Sequence, residues 1–73
     1  MKNKRIMDFG GAIDRVLDGE VITRLDWPEG VYGFLGRDGV LTIYLVEDGE
    51  NHHWLVNQGD LEGIDYLLFK AKK

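Results

Sequence analysis

Seventy-three residues without a cysteine, thirteen Asp and Glu against nine Lys and Arg, and a formal net charge of −4 limit what this chain can be. The length fits one domain, not two; disulfide bracing is excluded, and no apolar run approaches the roughly 18 residues of a membrane span. Six of the nine cations (Lys2, Lys4, Arg5, Lys70, Lys72 and Lys73) lie near the ends, so the stretch from Asp8 to Asp65 sets thirteen carboxylates against Arg15, Arg24 and Arg37 alone.

A body this acidic repels polymeric nucleic acid, whose binding depends on neutralising phosphates. The basic start is not followed by the apolar stretch of a secretory signal, so a cytoplasmic location with no membrane partner is expected. So small a core is marginal by itself. Without disulfides, self-association is the expected compensation.

In chain order, loosely ordered tails are expected at 1–7 and 71–73. Asp8 to Asp18 reads as a helix, because Phe9, Ala12, Ile13, Val16 and Leu17 follow the i, i+3, i+4, i+7, i+8 spacing of one apolar face. Asp8 suits its N-cap and Gly19 the position just past its end. Gly10 and Gly11 each cost roughly 1 kcal/mol there against alanine, so a close approach by other backbone is expected beside them.

Strands are predicted over Glu20–Leu25, Val31–Leu35, Val40–Val46, His52–Val56 and Ile64–Lys70. Between them stand the Pro28 and Gly30 turn, the Asp38-Gly39 hairpin signal, the polar stretch 47–51, and a loop from Asn57 to Gly63 with room for one helical turn. The fold class is therefore α+β: one N-terminal helix packed on an antiparallel sheet of about five short strands, a single domain over 1–73. Along Val40–Val46, Leu41, Ile43 and Leu45 face one way, and Val40, Tyr44 and Val46 the other. A strand with one wet face would alternate apolar with polar. One helix covers one face, so the second is expected to meet another subunit; the alternative is a sheet curled around its own helix.

Catalysis finds little to work with. Thr23 and Thr42 are the only aliphatic hydroxyls, and no nucleophile motif surrounds either. His52 and His53 are adjacent on a predicted strand and point to opposite faces, which suits no shared metal. Asp60, Glu62 and Asp65 lack the spacing of a calcium loop. Gly10-Gly11 at a helix start has no phosphate-loop pattern around it, and Asp8 would repel an anion. The chain is read as not an enzyme, with no catalytic residue, metal ligand or cofactor.

Two clusters suit binding. Thr23-Arg24-Leu25-Asp26-Trp27-Pro28 joins a guanidinium to an indole, a pair that can neutralise a phosphate and stack on a base. Trp54-Leu55-Val56-Asn57-Gln58-Gly59-Asp60 joins an indole to two amides and a carboxylate. The same side chains serve equally well as core covers and turn formers.

Phe9-Gly10-x-Ala12-Ile13, Gly19 and Thr23-Arg24-x-x-Trp27 with Gly30 three residues on, then Trp54-Leu55-x-x-Gln58-x-Asp60-Leu61-x-Gly63-x-Asp65-Tyr66, resemble in order and spacing the Thoeris anti-defence protein 2 family. The likeness runs from about Phe9 to Phe69, and Leu35 to His53 carries no family motif. It implies a phage-encoded sponge in the cytoplasm of the host bacterium. Such a protein sequesters cyclic ADP-ribose isomers, in some members cyclic dinucleotides, without cleaving them. It also implies a homo-oligomer, a tetramer, with pockets between subunits. Carried over by position, the ligand-binding residues would be Arg24, Trp27, Trp54, Asn57, Gln58 and Asp60. Their chemistry suits Arg24 to a pyrophosphate, Trp27 or Trp54 to an adenine face, and the amides and Asp60 to base edges or ribose hydroxyls. The alternative reading is an acidic protein-interaction module that docks a host protein.

Overall fold

A computed structural model of the chain describes residues 6–69. Helix α1 spans Phe9–Leu17, with the Asp8 carboxylate accepting from the Gly11 N–H at 2.9 Å. It stops at Asp18, and Gly19 follows at φ 95°, a conformation glycine adopts freely. Ala12 and Val16 are fully buried, Phe9 and Ile13 pack beside them, and Leu17 stays 62% exposed. The space beside Gly10 and Gly11 is filled by the helix's own cap, Asp8 and Met7, and not by another segment.

The strands are β1 (Ile22–Arg24), β2 (Tyr32–Leu35), β3 (Leu41–Leu45), β4 (Glu50–His53) and β5 (Tyr66–Leu68), with a short helix α2 (Gln58–Glu62) before the last. They form one antiparallel sheet of five strands in the order β4-β3-β2-β1-β5. The expected α+β fold is therefore the one found.

Two expectations about individual segments need correction. β4 was expected at His52–Val56. It starts earlier because Gly49, at φ 68°, donates its N–H to the Leu45 carbonyl at 2.8 Å. That closes the turn within four residues and sets Glu50 directly opposite Leu45. The tails expected to be loose at 1–7 and 71–73 lie outside the described residues except for Ile6 and Met7, and Met7 is not loose. It exchanges both backbone hydrogen bonds with Tyr66, at 2.8 and 3.0 Å, because the outer edge of β5 would otherwise be unpaired.

Register sorts the sheet into two faces. Toward α1 lie Ile22, Gly33, Ile43 and His52 in one cross-strand row, flanked by Arg24, Leu41, Leu45 and Tyr66. Leaving β4, Trp54 crosses this face, and its ring covers Gly33, where a Cβ would sit only 3.2 Å from the indole. With Ala12, Val16, Ile22 and Tyr66, Trp54 forms the buried core. The opposite face carries Thr23, Tyr32, Phe34, Thr42, Tyr44, Asn51, His53 and Leu67. There Tyr32 stacks on Tyr44 at 4.9 Å and on Phe69 at 4.7 Å. β3 is thus apolar on both faces as expected, but through Tyr44 alone on the second. Val40 and Val46 lie beyond the strand ends and are exposed.

Candidate functional site

Arg24 ends β1 facing the helix side of the sheet, across from Tyr66. Its guanidinium lies 5.0 Å from the Tyr66 ring centroid, donates through Nε to Asp65 at 2.8 Å, and reaches Asp60 through Nη1 at 3.3 Å. The short, charge-assisted contact is the one to Asp65. Burial works against the charge on Arg24, but the Asp65 hydrogen bond and the surrounding negative charge outweigh it and raise its pKa further. For Asp65, burial pushes the carboxyl up; the Arg24 hydrogen bond and the Asp26 N–H, at 3.0 Å, outweigh that and hold it below the usual range.

Asp60 completes the cluster. Asn57 caps α2 by accepting from the Asp60 N–H at 2.8 Å, while Asp60 Oδ2 accepts from the Asn57 N–H at 3.2 Å, a reciprocal capping box. The same carboxylate accepts from the Trp54 indole N–H at 3.3 Å, and the Asp60 carbonyl accepts from the Tyr66 hydroxyl at 2.8 Å. Among the described residues no buried side-chain polar atom lacks a partner.

Beyond this knot the helix side of the sheet opens into a trough that α1 does not reach. Trp27 stands edge-on to Trp54 at 5.5 Å and to Tyr66 at 6.3 Å, and it borders a cleft on either side. One cleft, about 510 Å3, is apolar and lined by Pro28, Val31, Ile43, Leu45 and Val46 with Glu47 at its rim. The other, about 400 Å3, shares Trp27, Ile43 and Leu45 but adds His52, His53, Asn57 and Asp60. His52 is held by Asp48 at 2.8 Å, and that hydrogen bond, with the Glu50 N–H, keeps the Asp48 carboxyl below its ordinary range.

Of the six ligand-binding residues expected from the sequence, Trp27, Trp54, Asn57 and Asp60 line the second cleft. Arg24 touches Asp60 from the core side, and Gln58 is turned away, bonded to Glu62 at 2.9 Å. The expected roles fare unevenly. Arg24 is already satisfied by two carboxylates, Trp54 is only 6% exposed, and Asp60 8%. Trp27 is the half-buried aromatic that keeps contact with open space. The sequence reading gave no part in this site to Asp65, which holds Arg24, or to Gly63, which leaves room for it, although both lie in the Gly63-x-Asp65-Tyr66 stretch of the resemblance. It also overlooked Pro28, Val31, Ile43 and Leu45, which carry no signal other than apolarity.

The hydroxyls of Thr23 and Thr42 are spent on backbone carbonyls, at 2.6 Å to Val31 and 2.9 Å to Val40. Thr42 stands across the ladder from His53, but its proton is directed to Val40. Among the described residues no group of three or more His, Asp or Glu side chains is placed to hold a metal ion, and no helix is long and apolar enough to cross a membrane.

No protein-family model matches the chain, and no curated protein matches it either.

Proposed function

We propose that this chain binds a cyclic nucleotide signal, of the cyclic ADP-ribose or cyclic dinucleotide class, in the trough beside Trp27, and sequesters it without cleaving it. The reading joins the sequence likeness to one observation: Trp27 borders both an apolar cleft and a polar one, which also share Ile43 and Leu45. A nucleobase is flat and largely apolar on its faces, and it suits the side lined by Pro28, Ile43 and Leu45. The sugar and its hydroxyls suit His52 and Asn57. In this reading Arg24 shapes the trough through Asp60 and does not touch the phosphates. The protein acts in the cytoplasm of a host bacterium and is no enzyme.

Melting curves with cyclic ADP-ribose isomers and cyclic dinucleotides test this, since a ligand bound only by the folded chain raises the melting temperature. A rise with at least one of them, and recovery of that compound intact after denaturation, is the expected result. No rise with any at about 100 µM would remove the proposal, and a chemically altered ligand would make the chain an enzyme.

A second reading rests on charge. The turns at 26–30 and 46–50 place Asp26, Glu29, Glu47, Asp48 and Glu50 at one end of the sheet with no Lys or Arg among them. Such an end suits docking to a basic host protein. A stoichiometric host partner in a pull-down, without any nucleotide effect on melting, would favour it.

A further inference from the structure

We propose that Glu47 reads the base edge and selects guanine, so that the ligand is a guanine-bearing cyclic dinucleotide; this rests on the nucleotide reading of the trough. The apolar cleft opens between two turns. Pro28 and Val31 come from one, Val46 and Glu47 from the other, and Ile43 and Leu45 of β3 line it as well. Among the described residues Glu47 is the only charged side chain that borders it.

The turn that carries Glu47 is fixed at several points. Gly49 donates its N–H to the Leu45 carbonyl at 2.8 Å, and the Asp48 carboxylate accepts from the Glu50 N–H at 3.0 Å. The other Asp48 oxygen lies 2.8 Å from His52 Nε2. Asp48 is thereby occupied, whereas among the described residues no ion pair or side-chain hydrogen bond engages Glu47.

An ionised carboxylate can only accept hydrogen bonds. Guanine offers it two donors side by side, N1–H and the N2 amine, which is a bidentate, charge-assisted match. Adenine offers one donor, the N6 amine, beside the N1 lone pair. That lone pair would face the second carboxylate oxygen, a repulsive element that rejects the wrong base. The apolar walls accept either base by its faces, so the edge carries the discrimination. The donor edge of guanine also lies away from its glycosidic nitrogen. Turning it to Glu47 points the sugar and phosphates away from the carboxylate, toward the cleft that holds His52 and Asn57 but not Glu47. A cyclic ADP-ribose isomer carries adenine as its one base and cannot make this pair.

Titration calorimetry of the full chain with cyclic di-GMP, cyclic di-AMP and a cyclic ADP-ribose isomer tests the assignment. The wild type should bind the guanine compound about tenfold or more tightly than either adenine compound. Glu47→Gln is nearly isosteric at an exposed position, and its amide presents one donor and one acceptor, the pattern that adenine matches. It should lower the ratio of guanine to adenine affinity about tenfold while the melting temperature of the free protein stays in place. Equal affinity for the two dinucleotides, tighter binding of an adenine compound, or a ratio unmoved by Glu47→Gln would overturn the role of Glu47 and leave the nucleotide reading standing. Binding of none of the three would remove both.

Discussion

Arg24 and Asp65 stand 41 residues apart in the chain and 2.8 Å apart in space. Gly63 makes room for that contact. A Cβ there would lie 2.7 Å from Arg24 Nη2 and 3.1 Å from the Tyr66 ring, so any side chain would push the guanidinium off its partners. Gly63 has φ −65° and ψ 141°, a backbone any residue accepts, and the cost of Gly63→Ala is therefore steric. We expect about 1–3 kcal/mol of destabilisation, read as a fall of about 5 °C or more in melting temperature. An unchanged melting curve would mean that Arg24 has another way to sit.

Acid should loosen the same contact. The Asp65 carboxyl titrates lower in the folded chain than in the unfolded one, so its stabilisation is present above about pH 4 and is lost as pH falls through the folded value. Urea midpoints should therefore drop on acidification below about pH 4. Asp65→Asn should be less stable at neutral pH and show a shallower acid decline; an identical decline would place the sensitivity elsewhere.

Alkali acts through Tyr66. Burial, with the Asp60 and Asp65 charges adding to it and Arg24 opposing it, pushes the phenol from 10.0 up to about 12. The folded chain thus favours the neutral phenol, so this stabilisation is complete below pH 10.0 and disappears as pH rises toward about 12. Phenolate absorbance and loss of structure should rise together in that window. In Tyr66→Phe, which also loses the hydrogen bond to the Asp60 carbonyl, the alkaline decline should be weaker, though the protein starts less stable.

Trp27 and Arg24 should separate on substitution. Trp27→Ala removes the aromatic side chain that borders both clefts and should weaken the apparent affinity read from the ligand-induced rise in melting temperature about tenfold while the fold survives. Arg24→Ala strips Asp60 and Asp65 of their cation and should cost about 3 kcal/mol or more before any ligand is added. Equal ligand loss in a fully stable Arg24→Ala variant would return the guanidinium to the binding site.

What the sequence disclosed was local. The α1 stripe and its Asp8 cap lie within one short segment, and pattern alone places them. β4 was misplaced because Glu50, Asn51, His52 and His53 form an exposed edge strand, whose polar residues resemble a turn, while the apolar Trp54 and Val56 beyond it resemble a strand. Asn57 and Asp60 were readable as turn formers, and the capping box bears that out. The Arg24 cluster was not readable, because its partners lie 36 and 41 residues away and pairing at that distance leaves no periodic trace. The trough is likewise assembled from Pro28, Ile43 and His52, each on a different element.

The strand order has a kinetic consequence. β1, β2, β3 and β4 pair in chain order through short turns and can zip locally, whereas the second edge of β1 must await β5, whose residues Leu67 and Leu68 come after all the rest of the sheet. Closing that long loop is the entropically dear step. We expect the meander to nucleate and the β1–β5 seam to lock last, so that Leu67→Ala speeds unfolding and leaves the folding rate nearly untouched. A chevron in which Leu67→Ala slows folding instead would place the seam in the nucleus. If the seam does lock last, the Arg24 knot is a clasp on an already formed sheet, and transient opening of this protein begins where its chain was last joined.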